Sequence, residues 1–343
     1  MAANGRAVLV TGGAGYIGSH AAKALHRGGY RVVVYDNFVA GHRGAVKYGE
    51  LVTGDICDLA RLRQTITQHE IFAVMHFAAF LDVGESVRQP AKYYRNNVSG
   101  ALTVLEAIAA EQVRLFVFSS TCATYGEPLE TPISESHPQQ PVNPYGKTKL
   151  VVEHALRDHA EAYGLRSVSL RYFNAAGCDP SGELGERHDP ETHLIPLALI
   201  EALRVRAGGD PAKTGLRVFG GDFVTPDGTC IRDYIHVNDL CSAHLLALGR
   251  LLQNRVAGAE AYNLGNGQGF SVLEVIDACR RVTGQDIRYE MAPRRAGDPA
   301  QLVGASRRAR EELEWRPVMT SLDDIVGSAW NWFSRQPQSG TSR

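Results

Sequence analysis

The stretch VLVTGGAGYIGSH, residues 8–20, constrains this chain more than any other part of it. A β-branched run, Val8–Thr11, meets glycines at 12, 15 and 18, and a helical pattern over Gly18–Arg27 follows. Glycine is needed where a turn is tight and where backbone must come close to a pyrophosphate. Free amides at the start of the following helix then face the phosphates. Alone, this pattern could be a plain Gly-rich turn. Its context makes it more specific: the second strand, Val32–Tyr35, runs into VVVYDN, and Asp36 stands 18 residues after Gly18. A carboxylate there binds the adenosine ribose hydroxyls and repels the 2′-phosphate of NADP, so the predicted cofactor is NAD.

The rest of the first half repeats the alternation. Leu51–Thr53, Ala73–Phe77, Phe116–Ser119 and Ser167–Leu170 read as strands, the first half's strands being apolar on both faces; Leu59–His69, Ala91–Ala110 and Tyr145–Tyr163 read as helices. The pattern predicts an α/β fold, a Rossmann-like doubly wound parallel sheet, with a smaller α/β C-terminal substrate lobe. Beyond Asn174, Gly, Pro and Asp cluster. We therefore expect residues 1–174 to form mainly the NAD-binding domain and 175–333 mainly the substrate lobe. A segment near 233–247 is expected to return to the first domain, and 334–343 to be a flexible tail.

Charge is nearly balanced, 36 Lys plus Arg against 37 Asp plus Glu, which argues against nucleic acid or an anionic membrane as a partner. No apolar window is long enough for a signal peptide or a membrane span, and the six cysteines lack C-x-x-C spacing. Reduced thiols in a cytoplasmic protein are expected, with no metal site. His188 and His193, in ERHDPETH, are read as part of a solvated loop.

NPYGKTK sets Tyr145 and Lys149 one helical turn apart, on a shared face. FSSTCATYG supplies Ser119, Ser120 and Thr121 at the end of the preceding strand. With the G-x-x-G-x-x-G spacing of the first turn, these features resemble the extended short-chain dehydrogenase/reductase family. The resemblance implies that Tyr145 is the acid/base, that Lys149 supports it and holds the nicotinamide ribose, and that Thr121 orients the substrate oxygen. A free phenol titrates near pH 10, so a shift to about 7 requires roughly 4 kcal/mol of differential stabilisation. The Lys149 ammonium and the positive nicotinamide are expected to supply it.

Further segments, among them GDICD, HFAA, GESVRQPAKYYRNNV, RYFNAAG, HLIP, PDGTCIRDYIHV, YNLGNG and RRAGD, extend the resemblance over residues 7–333. Within the family the chain most resembles the branch of UDP-glucose 4-epimerases. That implies interconversion of UDP-galactose and UDP-glucose through a 4-keto sugar, with bound NAD and a UDP-sugar as substrate, in a homodimer. By motif, Gly12, Gly15, Tyr16, Ile17, Gly18, Asp36, Asn37, Asp55, Ile56, Phe77, Ala78, Ala79, Asn96, Ser119 and Phe173 would join Tyr145 and Lys149 around NAD. Asn174, His193, Leu194, Arg217, Phe219, Arg232, Arg295, Asp298 and Leu302 would join Thr121 and Tyr145 around the UDP-sugar. Arginine suits this role, since guanidinium makes bidentate phosphate contacts.

The chain departs from the family pattern in places. Thr121 replaces a frequent serine, Cys122 an alanine, Leu81 a lysine, Ala40 an asparagine and His193 an asparagine. Cys122 is read as small packing. Leu302 occupies a position that gates the hexose 2-substituent, which leaves UDP-N-acetylglucosamine or a UDP-pentose as the alternative substrate. Nucleotide-sugar dehydratases and decarboxylases place acids just after the Thr, where this chain has Cys122 and Ala123. A non-catalytic dinucleotide sensor, the other alternative, typically lacks the tyrosine or the lysine. Tyr94, Val98, Leu102 and Leu105 are read as one apolar stripe that faces either the core or a second subunit.

Overall fold

The first turn joins β1 (Ala7–Thr11) to α1 (Tyr16–Arg27), and the alternation continues through β2 (Arg31–Asp36), β3 (Glu50–Thr53), α2 (Leu59–Gln68) and β4 (Ile71–His76). Two short helices, α3 (Val83–Arg88) and α4 (Pro90–Tyr93), lead through a π-helical turn, Tyr94–Ser99, into α5 (Gly100–Ala110). Then come β5 (Leu115–Ser119), α6 (Pro144–Tyr163) and β6 (Arg166–Tyr172). The computed structural model describes residues 5–295 and 298–336. Most of the expected tail, residues 337–343, lies outside them, as do Ala296 and Gly297 of RRAGD.

The second half contains β7 (Asn174–Ala176), α7 (Leu194–Arg206), β8 (Arg217–Phe219), β9 (Ile231–His236), α8 (Val237–Leu252) and β10 (Ala259–Leu264). It ends with β11 (Gly269–Ser271), α9 (Val272–Thr283), β12 (Glu290–Ala292), β13 (Gln301–Leu302), α10 (Arg307–Glu312) and α11 (Leu322–Phe333).

Seven strands form one sheet in the order β10-β6-β5-β4-β1-β2-β3, every neighbouring pair parallel. Side chains alternate across it. Val8, Val10, Val32 and Val34 pack with apolar residues of α1 and α8, whereas Ala7, Leu9, Val33 and Tyr35 pack with α2, α5 and α6. Successive strands step outward from β1 in one direction and from β4 in the other. The crevice past the carboxyl ends of β1 and β4 is therefore the switch point where such sheets bind ligands.

Local chemistry sets the helix that carries Tyr145. Asn143 caps α6, its Oδ1 accepting from the Gly146 amide at 2.8 Å, and Pro144 takes the first helical position. Gly164 ends the helix at φ +65°, a conformation glycine adopts without strain.

The helix expected over Ala91–Ala110 is interrupted by the π turn. The buried Asn97 accounts for it: its amide accepts from Phe80 N at 2.9 Å and donates to Phe80 O at 2.9 Å and to Thr148 Oγ1 at 3.2 Å. These bonds fasten the loop after β4 to α6. The expected apolar stripe also divides: Leu105 is fully buried, while Tyr94 and Leu102 are exposed, as is Val151 on α6.

In the smaller lobe β9 pairs with β7, β11 and β13, and α7, α9 and α11 share a separate core. The chain returns from there to the large sheet, since α8 packs against α1 and β10 extends the edge beside β6. Among the described residues no helix is long and apolar enough to cross a membrane.

Candidate active site

A cleft of about 950 Å³ runs past the carboxyl ends of β1 and β4 and between the two lobes. The glycine turn forms one end. Gly12 has φ +72°, and a Cβ there would stand 2.5 Å from the Ala78 nitrogen. A Cβ on Gly18 would stand 2.2 Å from the Gly12 oxygen. Any side chain at either position would fill or distort the turn, as a pyrophosphate-binding loop requires. Asp36 braces this turn, its Oδ2 accepting from Ala14 N at 3.0 Å and its Oδ1 from Phe38 N at 2.8 Å. A carboxylate has four lone-pair sites, so capacity for ribose hydroxyls remains. These features fit a dinucleotide.

Gly12, Gly15, Tyr16, Ile17, Gly18, Asp36, Asn37, Ile56, Phe77, Ala78, Ala79, Asn96, Ser119 and Phe173 all line the cleft, together with Thr121, Tyr145 and Lys149. Asp55 does not. It fixes its neighbours instead, accepting from Asn37 Nδ2 and from Cys57 N, each at 2.8 Å.

Tyr145 and Lys149 lie at the start of α6, opposite the end of β5. The Lys149 Nζ donates to Ser119 O at 2.8 Å and lies 4.9 Å from the centre of the Phe118 ring. Burial lowers its pKa to about 7, against the pull of Glu153. Burial also pushes the Tyr145 phenol well above its ordinary value, aided by Tyr172 and opposed by a hydrogen bond with Thr121. The acidification expected from Lys149 and a cationic nicotinamide has to act against this burial. Thr121 Oγ1 accepts from Ala123 N at 3.2 Å, which leaves its proton free to donate. Burial pushes the Cys122 thiol up to about 12, a poor setting for a nucleophile.

At the other end, Asn174, His193, Arg232, Arg295, Asp298 and Leu302 line the cleft. Arg232 donates to Pro299 O at 2.9 Å and reaches Asp298 Oδ1 at 3.3 Å, so it ties down the loop opposite. Three expected contacts, Leu194, Arg217 and Phe219, are not on the wall. Arg217 and Arg295 instead lie 5.3 and 4.1 Å from the centre of the Phe219 ring, and Phe219 supports Arg295 from behind.

Several wall residues had no expected role, among them Arg88, Tyr172, Glu186 and His188. Tyr172 shares a 2.7 Å hydrogen bond with Ser119 Oγ; it lies just before the Phe173 that motif matching picked out. ERHDPETH is a loop, as expected, with Arg187, Asp189, Pro190 and Thr192 exposed, but its acidic and histidine side chains gather inward. Glu186 is 3% exposed, and His188 and His193 turn toward it and Glu191. Burial opposes charging of His193, but the two glutamates outweigh it and bring its pKa up to about 10.

Residues 8–265 match the NAD dependent epimerase/dehydratase family. The chain belongs to this family. It is 51% identical to a UDP-glucose 4-epimerase of Halalkalibacterium halodurans over 96% of both chains. The crystal structure of UDP-glucose 4-epimerase from Brucella ovis in complex with NAD is 50% identical, covers 95% of this chain and 98% of its own, and superposes with a TM-score of 0.89. The Bifidobacterium longum UDP-glucose 4-epimerase, solved with NAD⁺ and UDP, is 37% identical over 96% of this chain and 99% of its own, also at a TM-score of 0.89. This epimerase/dehydratase family member thus matches those proteins along nearly its whole length.

Proposed function

We propose that the chain is a UDP-glucose 4-epimerase, an NAD-dependent enzyme that interconverts UDP-galactose and UDP-glucose. The observation that carries this reading is that Thr121, Tyr145 and Lys149 share one cleft with the glycine turn and with Arg232, Arg295 and Asp298. Bound NAD supplies the acceptor and donor of hydride at the sugar C4. Tyr145 removes the proton from the C4 hydroxyl and later returns it, while Thr121 orients that oxygen. Lys149, with one N–H committed to Ser119, has two left for ribose hydroxyls. The two arginines hold the diphosphate, and Asp298 the uridine ribose. The keto sugar turns over about its pyrophosphate link and accepts hydride on the opposite face. Firm anchoring of UDP and loose holding of the hexose are therefore both required.

This reading assigns residues 1–174 mainly to the cofactor and 175–333 mainly to the UDP-sugar. It favours an active epimerase over a dinucleotide sensor, because both tyrosine and lysine are retained in the cleft. A cytoplasmic setting accords with six cysteines that are all free.

The test is to incubate the purified protein, without added cofactor, with UDP-hexoses, UDP-N-acetylhexosamines and UDP-pentoses and to identify the products. UDP-galactose and UDP-glucose are expected to interconvert; no sugar converted would reject the assignment. Leu302 lines the cleft and packs beside Cys122, Tyr125 and Phe173. Trimming it with Leu302→Ala is expected to raise kcat/KM for the N-acetylated sugars relative to UDP-glucose by about tenfold, the scale of one or two methylenes in an apolar pocket. An unchanged ratio would remove Leu302 from that role.

We also propose a homodimer. Tyr94, Leu102 and Val151 present exposed apolar surface on neighbouring helical segments, and a second copy about a two-fold axis would cover it. Sedimentation is expected to give twice the chain mass, and Leu102→Glu to shift it toward the monomer. Monomer alone for the unaltered protein would reject the dimer.

A further inference from the structure

The loop between β7 and α7 holds a group of side chains of which only His193 was expected to meet the substrate. Glu186, His188, Glu191 and His193 offer one donor atom each, and all four atoms lie within 4.8 Å of one another. His188 Nδ1 stands 3.5 Å from Glu186 Oε1 and 3.4 Å from Glu191 Oε2. His193 Nδ1 stands 2.8 Å from Glu186 Oε1 and 3.3 Å from Glu191 Oε1. The Glu186 side chain is 4% exposed, yet its Oε1 has no well-formed hydrogen bond, and neither do the Nδ1 atoms of the two histidines. Among the described residues no lysine or arginine pairs with either glutamate.

Imidazolium–carboxylate pairing alone explains this poorly. Hydrogen bonds between nitrogen and oxygen fall at 2.7–3.2 Å, and three of these four contacts are longer and lack the required geometry. Ligands about 2.0–2.1 Å from a single tetrahedral ion stand roughly 3.3 Å from one another, and the separations of His188 Nδ1 from Glu186 Oε1 and from Glu191 Oε2 fall close to that. We propose that Glu186, His188, Glu191 and His193 form a binding site for one divalent transition-metal cation, best suited to zinc. Two carboxylates would balance its charge, with two imidazoles as neutral ligands once His193 has released its proton to the solvent on binding. Two nitrogen donors argue against magnesium or calcium, which prefer all-oxygen sites.

Four protein ligands leave no open position, so the role is structural. The ion would clip the loop to itself at the wall of the cleft. There the His188 ring meets the Tyr16 ring edge-on, with centroids 6.4 Å apart. Tyr16 opens α1, and its hydroxyl donates to Gly177 O at 2.5 Å. With Nδ1 of His193 on the metal, its Nε2 is the ring nitrogen left for a ligand in the cleft.

The test uses the full chain stripped with a chelator and dialysed. Zinc is titrated against a chromophoric competitor, metal content is measured after gel filtration, and melting is followed with and without zinc. The wild type is expected to take up one zinc per chain and to melt several degrees higher. His188→Asn and Glu191→Gln should each weaken uptake at least tenfold, and the double variant should retain none of the melting shift. Cobalt in the wild type should show the visible bands of a tetrahedral site without a thiolate charge-transfer band. That readout needs no variant to fold. No uptake by the wild type, equal uptake by the double variant, or a thiolate band would each overturn the site.

Discussion

Replacing Tyr145 with phenylalanine is expected to lower turnover of UDP-galactose by about 10²–10⁴-fold, the usual contribution of a positioned general acid/base. The change removes one oxygen and keeps the ring, so the packing at the start of α6 and the cap from Asn143 should survive. KM should change little, since the arginines that would hold the diphosphate are elsewhere in the cleft, and the loss should appear in kcat. Bound NAD, measured by its absorbance after denaturation, should remain. Unchanged turnover would refute the assignment of the phenol. Loss of NAD together with activity would instead mark Tyr145 as part of the cofactor's seat. The pH dependence is also informative. Burial, with Tyr172, raises this phenol, and burial lowers the Lys149 pKa to about 7, so activity should fall as pH drops below about 7 and Lys149 and Tyr145 both hold their protons.

The second large effect is expected at Glu153, which lies beneath the catalytic group. Its Oε1 accepts from Ser120 Oγ at 2.6 Å and from Arg171 Nε at 3.0 Å; its Oε2 accepts from Arg171 Nη2 at 2.6 Å and from Gln139 at 3.2 Å. Arg171 continues the network to the Tyr125 hydroxyl at 2.8 Å, and Tyr125 donates to Asn263 Oδ1 at 2.7 Å. Both charged side chains are at most 5% exposed. Glu153→Ala would leave the guanidinium buried without a counter-charge, which typically costs about 3–5 kcal/mol. Melting should fall by roughly 5 °C. Glu153→Leu combined with Arg171→Met removes both charges and should recover most of that loss, as an apolar replacement of a buried pair usually does. A double variant no more stable than Glu153→Ala would mean the network matters through its hydrogen bonds and not through its charge balance.

The cofactor end was legible in the sequence because its signals are local. Three glycines, a strand period and an acid at the next strand's end specify a turn without reference to distant residues, and those residues line the cleft as expected. Motif matching was less exact about which neighbour faces inward. Asp55 and Ile56 are adjacent, yet only Ile56 reaches the wall, while Asp55 is engaged by Asn37 and Cys57. Arg217 and Phe219 likewise belong to a short strand whose partner, β12, comes from 73 residues further on. No local period announces that placement. The clustering within ERHDPETH was hidden for a similar reason. Its spacing matches no helix, and only the path of the loop brings the four side chains together. For Tyr145, a sequence reveals a lysine one turn away but not the desolvation that both groups undergo.

The irregular winding at Tyr94–Ser99 restricts how this chain can vary. An α-helix advances about 100° per residue. Excising one residue there to restore an ordinary helix would rotate everything on one side of the cut by that angle. Either Asn97 would lose Phe80 and Thr148, or Ala101, Val104, Leu105 and Ile108 would swing out of the interior. Homologous proteins that keep both contacts should therefore differ here by exchange of side chains and hardly ever by insertion or deletion.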